Sequence, residues 1–123
     1  MAHIVIIGAG LGGMPMAYEM KELARPGDRV TVVSNAPTFH FVPSNPWVAV
    51  NWRKRDDIEF PVAEYLGRKG IEFTSAGAKR VHPEKNQVEL GDGTLLDYDF
   101  LVVATGPRLV FDEVEGLGPE HHT

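Results

Sequence analysis

The glycines Gly8, Gly10, Gly12 and Gly13, in the run HIVIIGAGLGG from His3 to Gly13, carry the chain's strongest chemical signal. Gly8 permits a tight turn off the apolar run Ile4 to Ile7, and Gly10 removes the side chain that would hold phosphate oxygens away. Gly13 lets the next element pack closely against a sheet. A helix starting at Leu11 would aim its free N–H groups, the positive end of its dipole, at a diphosphate. The G-x-G-x-x-G spacing alone is a weak signal, since glycine-rich turns are common. Its place between a β-branched run and a helical pattern makes dinucleotide binding the leading reading.

Other chemistry has less support. The chain has no cysteine, which excludes a disulfide framework, a thiolate metal site and cysteine redox chemistry carried by these residues. The histidines His3, His40, His82, His121 and His122 show no metal-ligand spacing with carboxylates on a regular element. His121-His122 is expected in an exposed tail. Ser34, Ser44 and Ser75 lack the turn that presents a nucleophilic serine. Asp56-Asp57 reads as helix capping more simply than as a catalytic carboxylate pair. Arg53-Lys54-Arg55, followed at once by those aspartates, reads as a solvated loop.

The elements that must position the glycines follow from periodicity. Ile4 to Ile7 is a strand apolar on both faces, and Leu11 to about Leu23 is a helix with Met16, Met20 and Leu23 as its core stripe and Ala17 beside it. Pro15 is tolerated there because it lies near the first turn. Arg29 to Val33 is the second strand, completing a βαβ unit whose crossover should be right-handed. Asn35 to Asn51 reads as a long proline-containing segment, with Phe39, Phe41, Trp47 and Trp52 in or beside it. A segment this long without structure of its own is uncommon and often functional. Pro61 to Arg68 is a short helix led in by Asp56-Asp57 and stopped by Gly70, and Ile71 to Thr74 is a third strand. Val81 to Asp99 reads as antiparallel hairpins, turning at Pro83 to Asn86 and Gly91 to Gly93. Phe100 to Ala104 is a further strand, expected to be fully buried, and the tail from Arg108 is acidic and aperiodic. The fold class is therefore α/β, a parallel Rossmann-like sheet with helices on its faces and a small antiparallel β-meander, without internal repeat or second domain.

Composition fits this reading. The 123 residues suit one domain, and a chain of 43% hydrophobic and 24% charged residues is expected to be globular. The net charge of −5 argues against a nucleic-acid surface. No apolar run approaches the ~20 residues of a membrane span, and the chain enters a strand at once, so neither a span nor a signal peptide is expected.

The order of the motifs is more specific than either alone. A strand with Gly8-Ala9-Gly10-Leu11-Gly12-Gly13, a second strand, a meander and a strand ending in Ala104-Thr105-Gly106 resembles the N-terminal half of the FAD-binding domain in flavoproteins with two dinucleotide-binding domains. Within that family the chain is most similar to the sulfide:quinone oxidoreductases. The residues that carry this are GAGLGGMPMAYEM, Phe41-Val42-Pro43-Ser44-Asn45-Pro46-Trp47, Arg55-Asp56-Asp57-Ile58 and Val102-Val103-Ala104-Thr105-Gly106-Pro107, and the resemblance covers nearly the whole chain. Type II NADH dehydrogenases and flavocytochrome-type sulfide dehydrogenases are close alternatives. A non-catalytic module that senses NAD is a reading of a different class, which Ser34-Asn35 and the small size permit but from which the A-T-G strand and the F-V-P-S-N-P-W loop are not expected.

The resemblance implies FAD as cofactor. Gly8, Gly10, Leu11 and Gly12 would meet the pyrophosphate, with Gly13 supporting helix packing. Val42 and Pro43 would approach the isoalloxazine ring, where His40 could tune flavin protonation, although solvent exposure explains His40 more simply. Ala78 would hold adenine through backbone groups, and Thr105 and Gly106 would line the other side of the dinucleotide. The acidic residue that ordinarily ends the second strand and receives the ribose hydroxyls is replaced by Ser34-Asn35, neutral partners whose bonds should be weaker. The resemblance also implies a longer enzyme, cytoplasmic or peripheral at the inner membrane face. Its catalytic cysteines, second domain, quinone pocket and membrane-associating part would lie beyond Thr123. Sulfide and quinone are partners of that whole enzyme, and residues 1–123, half of an FAD-binding domain, should be inactive alone and prone to self-association through an open sheet edge.

Overall fold

The run Ile4 to Ile7 becomes the centre of the molecule because its alternate side chains enter two different cores. The computed structural model describes residues 1–121; His122 and Thr123, with the side chain of His121, lie outside the described residues. In chain order the elements are β1 (His3–Ile7), α1 (Gly13–Leu23), β2 (Arg29–Val33), β3 (Thr38–His40), α2 (Asn45–Ala49), β4 (Glu59–Pro61), α3 (Val62–Gly67), β5 (Glu72–Thr74), β6 (Ala78–His82), β7 (Gln87–Leu90), β8 (Leu95–Asp97) and β9 (Phe100–Val103). Short 3-10 turns at Val42–Ser44, Arg55–Asp57, Pro83–Lys85, Phe111–Glu113 and Pro119–His121 punctuate them.

A parallel sheet of order β5-β2-β1-β9 forms the middle layer. β1 pairs with β2 from His3↔Arg29 to Ile7↔Val33, and with β9 from Ile4↔Phe100 to Ile7↔Val103. On one face, Ile4, Ile6, Val30 and Val32 pack against Met14 and Ala17 of α1 and Val62 and Leu66 of α3. On the other, Val5, Ile7 and Val33 pack against Val88 and Leu90 of the antiparallel meander β6-β7-β8. Each fully buried Ile, Leu or Val here contributes about 1.5–3 kcal/mol, and both faces of β1 are used. The result is three layers: helices, parallel sheet, meander.

Four expectations are corrected. The core stripe of α1 is Gly13, Met14 and Ala17, with Met16 and Met20 only partly buried, while Leu23 is 73% exposed in the last turn. The small residues Gly13 and Ala17 bring the helix backbone onto the sheet, and that approach decides the buried face. The segment Asn35 to Asn51 carries structure of its own: β3, a 3-10 turn and α2. β3 pairs antiparallel with β4, placing Phe39 opposite Phe60, whose rings stack at 4.7 Å. Asp57 caps the 3-10 turn at Arg55–Asp57, accepting from the Lys54 N–H at 2.7 Å, and β4 separates that turn from α3. Finally, β9 is an edge strand and not a fully buried one, with Phe100 62% and Val103 64% exposed.

Among the described residues no helix is long and apolar enough to cross a membrane.

Candidate functional site

The strand order decides where a site can form. From β1 the chain steps to β2 and then β5 on one side, and returns through β9 on the other. The order therefore reverses between β1 and β9, and ligands of open α/β sheets bind at the carboxyl ends of the strands at such a switch point. Gly8 leaves β1 there. Its N–H donates to the Val33 carbonyl at 2.8 Å, and the Ala104 N–H donates to Ile7 at 2.8 Å, which sets three strand ends side by side.

The glycines then divide into distinct duties. Gly8 adopts φ +109°, and a Cβ on it would lie 2.2 Å from the Ala104 carbonyl oxygen. A Cβ on Gly13 would lie 1.8 Å from the Gly8 carbonyl oxygen, so the first turn of α1 touches the strand exit directly. A Cβ on Gly10 would meet nothing within 4 Å. Gly8 and Gly13 are thus required by the packing, whereas Gly10 faces open space at the mouth of the turn. Gly12 caps α1 without a side-chain hydrogen bond, and no acidic residue occupies the first turn. The positive end of the helix therefore carries no side-chain acceptor or acidic side chain of its own.

Beside this turn lies a cleft of about 150 Å³ lined by Ile7, Gly8, Val33, Ser34, Asn35, Ala78 and Thr105. Five residues expected at a dinucleotide site, Gly8, Ser34, Asn35, Ala78 and Thr105, thus share one concavity. Ala78 reaches it because the meander is pinned to β2: the Gly77 N–H donates to the Ser34 carbonyl at 2.8 Å. Ser34 Oγ accepts from the Ala36 N–H at 3.3 Å, which turns the chain out of the sheet and exposes Asn35 at the cleft. Among the described residues no carboxylate lines the cleft. Gly106, at φ +71°, follows Thr105 in the chain and is not among the residues lining the cleft.

Val42 and Pro43 are not in that cleft. They open an exposed 3-10 turn beyond β3. The connection runs through a second, aromatic groove of about 470 Å³, where Leu11 of the glycine turn and Phe41 of the Val42–Pro43 segment are both wall residues, with Met14, Tyr18, Phe39, Phe60 and Tyr65. The glycine turn lies between the two concavities, Gly8 on one and Leu11 on the other.

The chain matches the family model pyridine nucleotide-disulphide oxidoreductase over residues 2–123. The chain belongs to that family. A sulfide-quinone reductase of Aquifex aeolicus is 42% identical over 109 residues, covering 89% of this chain and 25% of the relative. A mitochondrial sulfide:quinone oxidoreductase of Dictyostelium discoideum is 31% identical over 114 residues, covering 93% of this chain and 25% of the relative. The crystal structure of the Aquifex aeolicus sulfide:quinone oxidoreductase superposes with a TM-score of 0.85 at 41% identity, over 90% of this chain and 26% of that one. The chain spans about a quarter of the length of these relatives.

For a member of the pyridine nucleotide-disulphide oxidoreductase family, the structure gives contacts that motif reading did not assign to residues it had named. Ser44, fully buried, accepts a hydrogen bond from Arg53 at 2.6 Å, and the Arg53 guanidinium lies 4.9 Å over the Trp47 ring. Arg53 is exposed, as expected of its basic cluster, yet it braces the turn that carries Val42 and Pro43. His40 is hydrogen-bonded on both ring nitrogens. No local signal reveals either brace, since each depends on how β3, β4 and α2 meet. Among the described residues there is no group of His, Cys, Asp and Glu able to hold a metal ion.

Proposed function

We propose that residues 1–123 are the N-terminal part of the FAD-binding domain of a sulfide:quinone oxidoreductase. The observation that carries this reading is the convergence of Gly8, Ser34, Asn35, Ala78 and Thr105 on one cleft at the sheet's switch point. The residues fit the cofactor: an uncapped helix end and open Gly10 for the diphosphate, and hydroxyl and amide side chains for a ribose. Bound there, FAD would supply the redox chemistry, accepting electrons from sulfide and passing them to quinone in the whole enzyme. The chain's own part is to bind and orient. Gly8, Gly10, Leu11 and Gly12 would meet the pyrophosphate. Ser34 and Asn35 would take the adenosine ribose, Ala78 the adenine, and Thr105 and Gly106 the opposite flank. Val42 and Pro43 would stand against the ring. Residues 1–123 hold no cysteine to take up sulfur from sulfide as FAD accepts the electron pair, and should be inactive alone.

Comparative titration with FAD, NAD and NADP tests the assignment. Tightest binding is expected for FAD; preference for NAD or NADP would replace this reading with a nicotinamide-nucleotide site. The neutral ribose end gives a sharper expectation. Asn35→Asp should raise FAD affinity about fivefold, the advantage of a charged over a neutral hydrogen-bond acceptor. Unchanged or weaker binding in an isothermal titration would remove Asn35 from the ribose contacts.

The partner reading extends to the chain itself. Phe100 and Val103 leave apolar surface and unpaired backbone along β9, a template for strand pairing. Concentration-dependent self-association is expected in small-angle scattering, reduced by Val103→Lys. A strictly monomeric wild-type protein at all concentrations would contradict this.

A further inference from the structure

His40 ends β3, and its ring spans the turn that follows. Nδ1 lies 2.9 Å from Oε1 of Glu59 on β4, and Nε2 lies 2.6 Å from Oδ1 of Asn45, the first residue of α2. Both partners present oxygens, which only accept. A neutral imidazole carries one N–H and an imidazolium two, so only the charged ring can donate to both oxygens at once. The residues enclosed between these anchors are Phe41, Val42, Pro43 and Ser44, with the Ser44 N–H donating to the Phe41 carbonyl at 3.0 Å. Among the described residues two charged groups face the ring: Glu59, and Arg55 on the preceding turn, whose Nε donates to the same Glu59 oxygen at 2.9 Å.

We propose that His40, as the imidazolium, is a positioning residue that clasps the Phe41–Ser44 turn between β4 and α2 and so holds Val42 and Pro43 toward the flavin. The proposal rests on the flavin reading given above. The electrostatics agree with it. The Asn45 hydrogen bond, and then that to Glu59, raise the ring's pKa above its ordinary 6.5, against partial burial and the repulsion of Arg55. A raised folded pKa means the clasp's contribution is complete below 6.5 and is lost as pH rises through the folded value. The turn should therefore loosen on the alkaline side.

The test measures two quantities across the His40 titration: protection of the Ser44 and Asn45 amides against hydrogen exchange, corrected for intrinsic rate, and affinity for FAD. Imidazole ¹⁵N shifts place the titration independently. In the wild-type protein, protection should fall about tenfold from the acid to the alkaline limb, as loss of one charge-assisted hydrogen bond implies, with FAD affinity following the same midpoint. His40→Gln should flatten both profiles. Glu59→Gln removes the facing carboxylate and should move the midpoint to lower pH, which keeps the test decisive if His40→Gln folds poorly. A neutral His40 ring throughout, or turn protection indifferent to its titration, would overturn the clasp. FAD affinity that ignores a titrating His40 would overturn its positioning role. Protection that follows His40 in a protein that binds no FAD at any pH would sustain the clasp and place the failure in the flavin reading.

Discussion

Gly13→Ala and Gly8→Ala are expected to be the most damaging single-methyl additions in this chain. A Cβ at residue 13 would stand 1.8 Å from the Gly8 carbonyl oxygen, and one at residue 8 would stand 2.2 Å from that of Ala104. Both obstacles are backbone, at the exits of the hydrogen-bonded strands β1 and β9, so neither can swing away as a side chain would. Overpacking of this kind costs about 1–3 kcal/mol and sometimes more. At Gly8 the left-handed φ of +109° adds backbone strain of about 1–3 kcal/mol for a residue with a side chain. Against a total stability of about 5–15 kcal/mol, such losses are a large fraction. Gly8→Ala should lower the urea midpoint more than Gly13→Ala, and both should lower it well below wild type. Wild-type stability in either variant would mean that β1, α1 and β9 do not meet as described.

The second large effect is expected at Gly10, with the opposite signature. A Cβ at residue 10 finds no atom within 4 Å, and Gly10 does not adopt a positive φ. Gly10→Val should therefore change folding stability by no more than about 0.5 kcal/mol, as for an ordinary surface substitution. Its branched side chain would occupy the mouth of the glycine turn, where the diphosphate is proposed to approach the uncapped end of α1. Displacing charge-assisted hydrogen bonds worth about 1.5–3 kcal/mol each should weaken FAD binding about a hundredfold. Urea melts and FAD titration on the same sample read the two effects separately. Binding retained in a stable Gly10→Val protein would move the diphosphate away from this turn. The two glycine classes thus separate packing from recognition inside one motif.

These contrasts also explain what was legible in the sequence. The βαβ unit follows from short-range chemistry: a β-branched run, a glycine turn and a helical pattern each leave a local mark, and Gly8, Ser34, Asn35 and Thr105 come together because parallel strand ends come together. Ala78 entered only through resemblance, because a meander strand reaches the cleft by the Gly77–Ser34 hydrogen bond, which no local pattern announces. The β3–β4 hairpin was hidden for a related reason. Its strands are three residues each, and His40 and Glu59, opposite one another, are 19 positions apart. The FLVV run of β9 reads as buried whatever its place in a sheet, since apolar composition does not tell an edge from a centre. Leu23 misled because spacing identifies apolar positions on α1, whereas the close backbone approach at Gly13 and Ala17 chooses the face.

The central claim is that the cleft and glycine turn hold FAD, and the most direct measurement is a visible absorption spectrum of the purified protein followed by titration with FAD. A bound-flavin spectrum, or saturable FAD binding by a sample shown to be folded, is the expected result. A folded sample that carries no flavin and shows no saturation with FAD would contradict it.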